Sequence, residues 1–219
     1  MLPRLSDFGG YADMTDAPRT LLQIAGAPLH PSALEKSALV IIDAQLEYVT
    51  GNLPLAGVDA AVAEAASLLA LARTNGVPVF HIVQHAPAGR PLFAEDSPTS
   101  AIVPQLAPRD GEAVIRKSLP NSFAGTDLHE RLQASGRSEL IVAGFMTHMC
   151  VSATVRAATD LKYRTTVVAN ATATRALPDP LGGTIPAETV HRTALAELAD
   201  RFAVVVKDVA ALTPAPQPA

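Results

Sequence analysis

The stretch Ala38-Leu39-Val40-Ile41-Ile42-Asp43 constrains this chain more than any other. Five apolar residues in succession show no alternation between an inner and an outer face. A strand built from them is therefore covered on both sides, as in parallel sheets held between helices. The carboxylate that follows marks where such a strand leaves the core.

The rest of the chain repeats the theme. Val58–Thr74 carries apolar residues at helical spacing, and Asn75-Gly76 closes it. Val77–Val83 reads as a second buried strand. A short strand at Ala113–Arg116 lies in a loop-rich stretch punctuated by Pro104, Pro108 and Pro120. Asp127–Ala134 reads as a helix ending at Gly136, and Glu139–Ala143 as a further apolar strand. Thr147–Leu161 is expected to be helical, with Val151, Thr154, Val155, Ala158 and Leu161 on one face. Thr165–Val168, Pro186–Ala199 and Phe202–Val206 read as strand, helix and last strand. Alternating strands and helices imply right-handed βαβ units. The expected fold class is α/β: a three-layer α/β/α domain with a six-stranded parallel sheet.

The 219 residues suit one such domain, over residues 31–212. Residues 1–30 lack clear periodicity and read as an arm. Residues 213–219 are rich in proline and read as a flexible tail. The net charge of −4 gives no basic footprint for nucleic acid or anionic lipid, and the absence of Trp argues against a stacking platform. No run is long enough to span a bilayer, and no signal peptide is visible. One Cys permits no internal disulfide, which fits a reducing, cytoplasmic setting. It also leaves too few ligands for a structural zinc site. No Gly-x-Gly-x-x-Gly or Walker loop follows a strand, so a nucleotide-binding module has no support. No cofactor and no metal are expected.

Ligands bind beyond the carboxyl ends of the strands in open α/β sheets. Three chemically suited residues stand there. Asp43 follows the first strand, either as a turn cap or as a catalytic carboxylate. Lys117 follows the third, where a solvated lysine is the plainer reading. Cys150 lies at the start of the helix after the fourth strand. It is either a small buried hydrophobe or a nucleophile whose thiolate the helix N-terminus favours. Together they offer a base, a cation and a thiol at one sheet edge.

At these residues the chain resembles the isochorismatase-like cysteine hydrolases, from about Ala38 to Val206. The likeness rests on Val40-Ile41-Ile42-Asp43-Ala44-Gln45, on Arg116-Lys117-Ser118-Leu119-Pro120-Asn121-Ser122-Phe123-Ala124-Gly125-Thr126, and on Gly144 through Val151. It implies a strand order of 3-2-1-4-5-6 and an Asp43–Lys117–Cys150 triad. It also implies a cis peptide at Phe145–Met146, and an oxyanion hole made by the Met146 and Cys150 N–H groups. The presence of the Cys favours cleavage of a non-peptide C–N bond in a small amide, ureide, carbamoyl compound or lactam. The ether-cleaving branch of the family, which does without the thiol, and a non-catalytic protein retaining the fold are the rival readings. The family's habit of forming assemblies implies a homo-oligomer.

The metal-binding Asp-x-His of some members is not matched at His81-Ile82-Val83-Gln84-His85, so no metal site is carried over. His81 reads as a core or interface histidine and His85 as a candidate for the pocket. His148 stands two residues before Cys150 and points to another face, so it reads as an exposed or interface residue. Tyr48, Leu119 and Phe123 are candidates for an apolar pocket wall. Arg90 reads as solvated, with a substrate carboxylate as the alternative partner.

Overall fold

The computed structural model describes residues 17–213. The expected segments 1–30 and 213–219 therefore lie partly outside the described residues. Within the first of them, residues Leu21–Ile24 form a one-turn helix, α1, rather than an irregular arm. Thr20 caps it in a reciprocal box with Gln23, and the Leu21 N–H donates to Asp200 Oδ1 at 2.8 Å.

The body is a six-stranded parallel sheet between helices. β1 (Ser37–Ile42) lies at its centre, paired with β2 (Val79–Gln84) and β4 (Glu139–Phe145). β3 (Ala113–Lys117) flanks β2, and β5 (Arg164–Ala173) flanks β4. A two-stranded hairpin, β6 (Leu177–Pro178) and β7 (Thr184–Ile185), precedes the outermost strand β8 (Val204–Val206). The sheet order is 3-2-1-4-5-8, which is the expected order once the hairpin is set aside.

All six β1 residues are buried, and they feed two cores by turns. Leu39 and Ile41 face α2 (Val58–Thr74), whose Val62, Ala65, Leu68, Leu69 and Ala72 cover them. Ala38, Val40 and Ile42 face the opposite layer. There, Leu132 of α3 (Leu128–Ala134), Val155 and Ala158 of α4 (Ser152–Asp160), and Leu198 of α5 (Ala187–Arg201) close the second core. Each fully buried Leu, Ile or Val contributes about 1.5–3 kcal/mol. Double-sided burial of one strand thus anchors the whole layer stack.

Two expected elements differ. The helix expected from Thr147 begins as a π-helical turn, Thr147–Val151, before α4 proper. The strand expected to end at Val168 runs on to Ala173, with a register shift between Val142 and Gly144 in its pairing with β4. Gly144 has φ 111°, and a Cβ there would sit 2.0 Å from the Ile42 carbonyl oxygen. Only glycine allows β4 to approach β1 so closely before the chain turns toward Cys150.

Candidate active site

The carboxyl edge of the sheet brings Asp43, Lys117 and Cys150 together. Asp43 leaves β1 with φ 48°, a left-handed conformation uncommon for a residue other than glycine. Its N–H donates to the Ile82 carbonyl and its own carbonyl accepts from the Gln45 N–H, which hold the turn. Lys117 ends β3, three strands from β4, a span of about 14 Å at ordinary strand spacing. Its four-carbon stem covers part of that span and the π-turn brings Cys150 back over the edge.

The Lys117 Nζ lies 2.7 Å from Asp43 Oδ2 and donates to Gln84 Oε1 at 2.7 Å and to Cys150 Sγ at 3.3 Å. An ammonium has three protons, and here three acceptors surround it. Asp43 and Lys117 side chains are wholly buried. Asp43 Oδ1 has no hydrogen-bond partner among the described residues. That leaves a buried lone pair beside the thiol.

Burial pushes the Asp43 carboxyl above the usual carboxylate range, against the pull of the Lys117 ammonium. Burial, followed by the Asp43 charge, pushes the Cys150 thiol up to about 12, again against Lys117. This corrects the expectation that the helix N-terminus would hold a thiolate. The π-turn is buried and a carboxylate faces the sulfur, so the resting group is the thiol. Chemistry at the sulfur would need a base to take that proton, and the Asp43 carboxylate is held by the same Lys117 ammonium that contacts the sulfur.

The turn that carries Cys150 is tied down from two sides. Thr147 Oγ1 is 2.9 Å from His191 Nδ1 on α5. His148 Nδ1 is 2.5 Å from Thr174 Oγ1, just past β5. His148, read from its spacing as an exposed or interface residue, is thus half-buried and hydrogen-bonded within the chain. The Phe145–Met146 peptide is cis. It places Met146, with Cys150 four residues on, at the start and interior of the same turn.

The other expected pocket residues divide. Tyr48 is buried, edge-on to Phe93 (5.2 Å) and Phe145 (5.9 Å). Burial, then the charges at Asp43 and Cys150, push its hydroxyl upward, so it stands at the triad. His85 is half-buried, and its N–H donates to the Lys117 carbonyl. Leu119 is 52% exposed, on the rim. Phe123 is stacked on Tyr163 with centroids 6.1 Å apart and packs on the second core, so packing occupies its ring. Arg90 is exposed. His81 is buried on β2 and hydrogen-bonded to Glu112, which ends any claim on it as a ligand. Among the described residues no group of three or more His, Cys, Asp or Glu side chains could hold a metal ion.

Sequence reasoning missed Gln45, Gln84 and Glu47. Gln45 is fully buried; its amide accepts from the Gln84 N–H and donates to the Gln84 and Ser100 carbonyls. It therefore fixes the strand end whose Gln84 side chain meets Lys117. Glu47 is buried too, with Oε1 on the Asn52 N–H and Oε2 on the Thr99 hydroxyl. The only signal was polar residues directly beyond an apolar strand. A cleft of about 590 Å³ lies beside the edge of β5 and contains none of the triad; Thr174, the partner of His148, is part of its lining.

The chain is similar to known proteins. The sequence model of the isochorismatase domain matches residues 37–208. A secreted isochorismatase effector of Verticillium dahliae is 37% identical over 186 residues, covering 84% of this chain and 95% of that protein. A maleamate amidohydrolase of Pseudomonas putida is 35% identical over 150 residues, covering 61% of this chain and 70% of that protein. The crystal structure of an isochorismatase from Pseudomonas putida is 43% identical, with a TM-score of 0.81, covering 87% of this chain and 97% of that one.

Proposed function

The chain belongs to the isochorismatase family, and from that premise we propose that it hydrolyses a non-peptide C–N bond through a thioester on Cys150. The substrate is a small amide, ureide, carbamoyl compound or lactam. One observation carries the reading: a single buried ammonium, on Lys117, lies 2.7 Å from the Asp43 carboxylate and 3.3 Å from the Cys150 sulfur. An amidohydrolase among the relatives supports the bond type.

In the proposed reaction the substrate carbonyl enters above Cys150. Asp43 takes the thiol proton on its free Oδ1 as sulfur attacks the carbonyl carbon. Lys117 stabilises the two anions formed in turn, the thiolate and the carboxylate. The Met146 and Cys150 N–H groups receive the oxyanion. A donor of this kind contributes roughly 100- to 1,000-fold to the rate. When the tetrahedral species collapses, the C–N bond breaks and Asp43 returns its proton to the departing nitrogen. Asp43 then removes a proton from water, which attacks the thioester carbonyl. The C–S bond breaks and the thiolate is reprotonated. The raised carboxyl of Asp43 makes it a stronger base than a solvated aspartate, which this cycle requires twice. No cofactor enters it.

The test is a panel of small primary amides, ureides and lactams, read by ammonia release or ring opening, with Cys150→Ala alongside. The wild type is expected to turn over at least one class and Cys150→Ala none, with the variant's fold intact by circular dichroism. Full activity in Cys150→Ala would sink the thioester.

A further inference from the structure

Thr147–Val151, the turn that carries Cys150, is held in shape by its own backbone. The Met149 and Val151 N–H groups both donate to the Met146 carbonyl, at 3.0 and 3.2 Å, and no side chain caps the start of the turn. Bonds of that kind fix the form of a turn and leave open where it sits. Its position is set by what reaches it from outside. Among the described residues three side-chain hydrogen bonds do so: Lys117 Nζ to Cys150 Sγ, His148 Nδ1 with Thr174 Oγ1, and Thr147 Oγ1 with His191 Nδ1. The first belongs to the triad itself.

The bond to His191 is the one that comes from a separate helix. Thr147 is fully buried, and a buried hydroxyl without a partner is costly. His191 Nδ1, at 2.9 Å, is the only side-chain partner of that hydroxyl among the described residues, and the imidazole makes no other side-chain hydrogen bond there. Burial pushes the pKa of the ring down, so it meets Thr147 as a neutral imidazole. The helix beneath is a firm base: Val190, Ala194 and Leu198 of α5 are buried one turn apart, and His191 stands next to the first of them. On the other side, Thr147 is three residues from Cys150, less than one turn of a helix whose bonds close over five residues. A shift of Thr147 therefore carries the sulfur away from the Lys117 ammonium, now 3.3 Å from it.

We infer that His191 is a positioning residue: through Thr147 it sets where the nucleophile turn sits, and with it the approach of the Cys150 sulfur to Lys117 and Asp43. Its effect on turnover rests on the proposed function; its effect on the surroundings of the sulfur does not.

Two readouts test it. Burial and the Asp43 charge hold the Cys150 thiol up against Lys117, the Tyr48 hydroxyl also stands close, and each of these influences depends on where the turn sits. The first readout is the pH profile of Cys150 alkylation by iodoacetamide. Thr147→Val removes the hydroxyl and keeps the shape; it is expected to raise the rate near pH 8 at least about tenfold and to bend the profile toward a plateau. His191→Phe should do the same, and the double variant no more than either single one. Thr147→Ser and His191→Asn, which restore a hydroxyl and a short polar group near Nδ1, should return the profile toward wild type. The second readout is turnover of whichever amide the wild type cleaves. Thr147→Val should lower kcat roughly 30-fold with KM within about threefold, since the bond touches no substrate group and acts on the placement of the sulfur. A role confined to stability would lower the melting temperature and leave the profile and kcat as they are, which overturns the assignment. Additive effects in the double variant, or no recovery in Thr147→Ser and His191→Asn, overturn it too. An altered profile in a protein that hydrolyses none of the panel leaves the His191 assignment standing and overturns the amidase reading. A wild-type profile in Thr147→Val, where the wild type cleaves an amide through Cys150, does the reverse.

Discussion

Two clusters of buried charge lie on the same sheet, and they are built to opposite ends. At the carboxyl edge, Asp43, Lys117 and Cys150 are sealed from solvent, with one carboxylate oxygen unpartnered and both acidic groups pushed upward by burial. Toward the amino edge, Glu112 stands just ahead of β3 and is saturated. It accepts from Arg73 Nε at 2.7 Å, from Arg73 Nη2 at 2.9 Å, from His81 Nε2 at 2.9 Å and from the Arg109 N–H at 2.9 Å. Burial pushes Glu112 up, but these hydrogen bonds outweigh it and hold the carboxyl at about 2. Burial lowers the His81 ring, so His81 is neutral and its Nε2 carries the proton given to Glu112. The saturated cluster ties α2 to β2 and β3. The unsaturated one keeps proton-accepting capacity in reserve. Unspent hydrogen-bonding capacity, more than charge or burial, separates the proposed reactive groups from scaffold here.

The largest expected effects come from unbalancing the reactive cluster. Asp43→Asn should lower kcat/KM by at least about 1,000-fold, the range for losing a positioned base. Lys117→Met should do likewise and also strand a buried carboxylate, costing about 3–5 kcal/mol at pH 8. The deficit should shrink toward pH 5, because a carboxyl raised in the folded state adds stability below its unfolded value and loses it as pH rises. The double variant should regain most of the stability and none of the activity. Urea titrations at the two pH values check this. A double variant no more stable than Lys117→Met would deny that the pair is a charge-balanced unit.

The sign reverses at the saturated cluster. Glu112 is depressed, so its contribution is present above its unfolded value near 4.5 and is lost as pH falls from there toward about 2. Its side chain is only 12% exposed, and the contribution at neutral pH is up to about 3 kcal/mol. Glu112→Gln should be destabilised relative to wild type at pH 6, with the gap narrowed by about half at pH 3 and closing only below pH 2. Its kcat at pH 8 should stay within about threefold of wild type. A gap that stays constant with pH would mean that Glu112 is not ionised in the fold.

The fold was legible in the sequence to the extent that it depends on uninterrupted apolar runs. β1 and β4 are such runs, β2 is one broken only by His81, and α2 has clean helical spacing and an Asn-Gly stop. β5 was cut short because Asn170 and Thr172 break the apolar pattern, although the strand continues through them. The π-turn was read as ordinary helix, since periodicity says nothing of an extra residue in one turn. Asp43, Lys117 and Cys150 stood out because each follows a buried strand. Gln84 occupies the same kind of position and was passed over, because a Gln at a strand end looks like a solvated residue until the fold brings Lys117 onto its side chain. The pairing of His81 with Glu112 spans 31 residues and has no local signature.

A smaller effect sharpens the state of the thiol. With Cys150 pushed up to about 12, alkylation by iodoacetamide should accelerate about tenfold per pH unit between pH 7 and 10, with no plateau. Asp43→Asn should raise the rate at a given pH, since the Asp43 charge opposes ionisation of the sulfur. A plateau below pH 8 in the wild type would show a resting thiolate and remove the need for Asp43 as first base.

The smallest effect concerns the fork at Arg73. Its Nε and Nη2 grip the two oxygens of Glu112, and Nη2 also reaches the Ala107 carbonyl. Lysine would keep the charge and lose the parallel bonds, because an ammonium is a point donor on a flexible stem. The pair is 19% and 12% exposed, so solvent screens part of the Coulomb energy, and the loss should be about 1 kcal/mol. The informative comparison is with His81→Phe, which removes a different donor from the same carboxylate and leaves Arg73 in place. If Glu112 is held by the sum of its donors, each single change should raise its pKa and move the acid transition to higher pH, by unequal amounts, with Arg73→Lys the larger. If Arg73 alone holds it, His81→Phe should leave the acid transition where it is. Acid unfolding of the two variants, followed by circular dichroism, distinguishes these, and only the first outcome supports the contrast between a saturated cluster and a deliberately incomplete one.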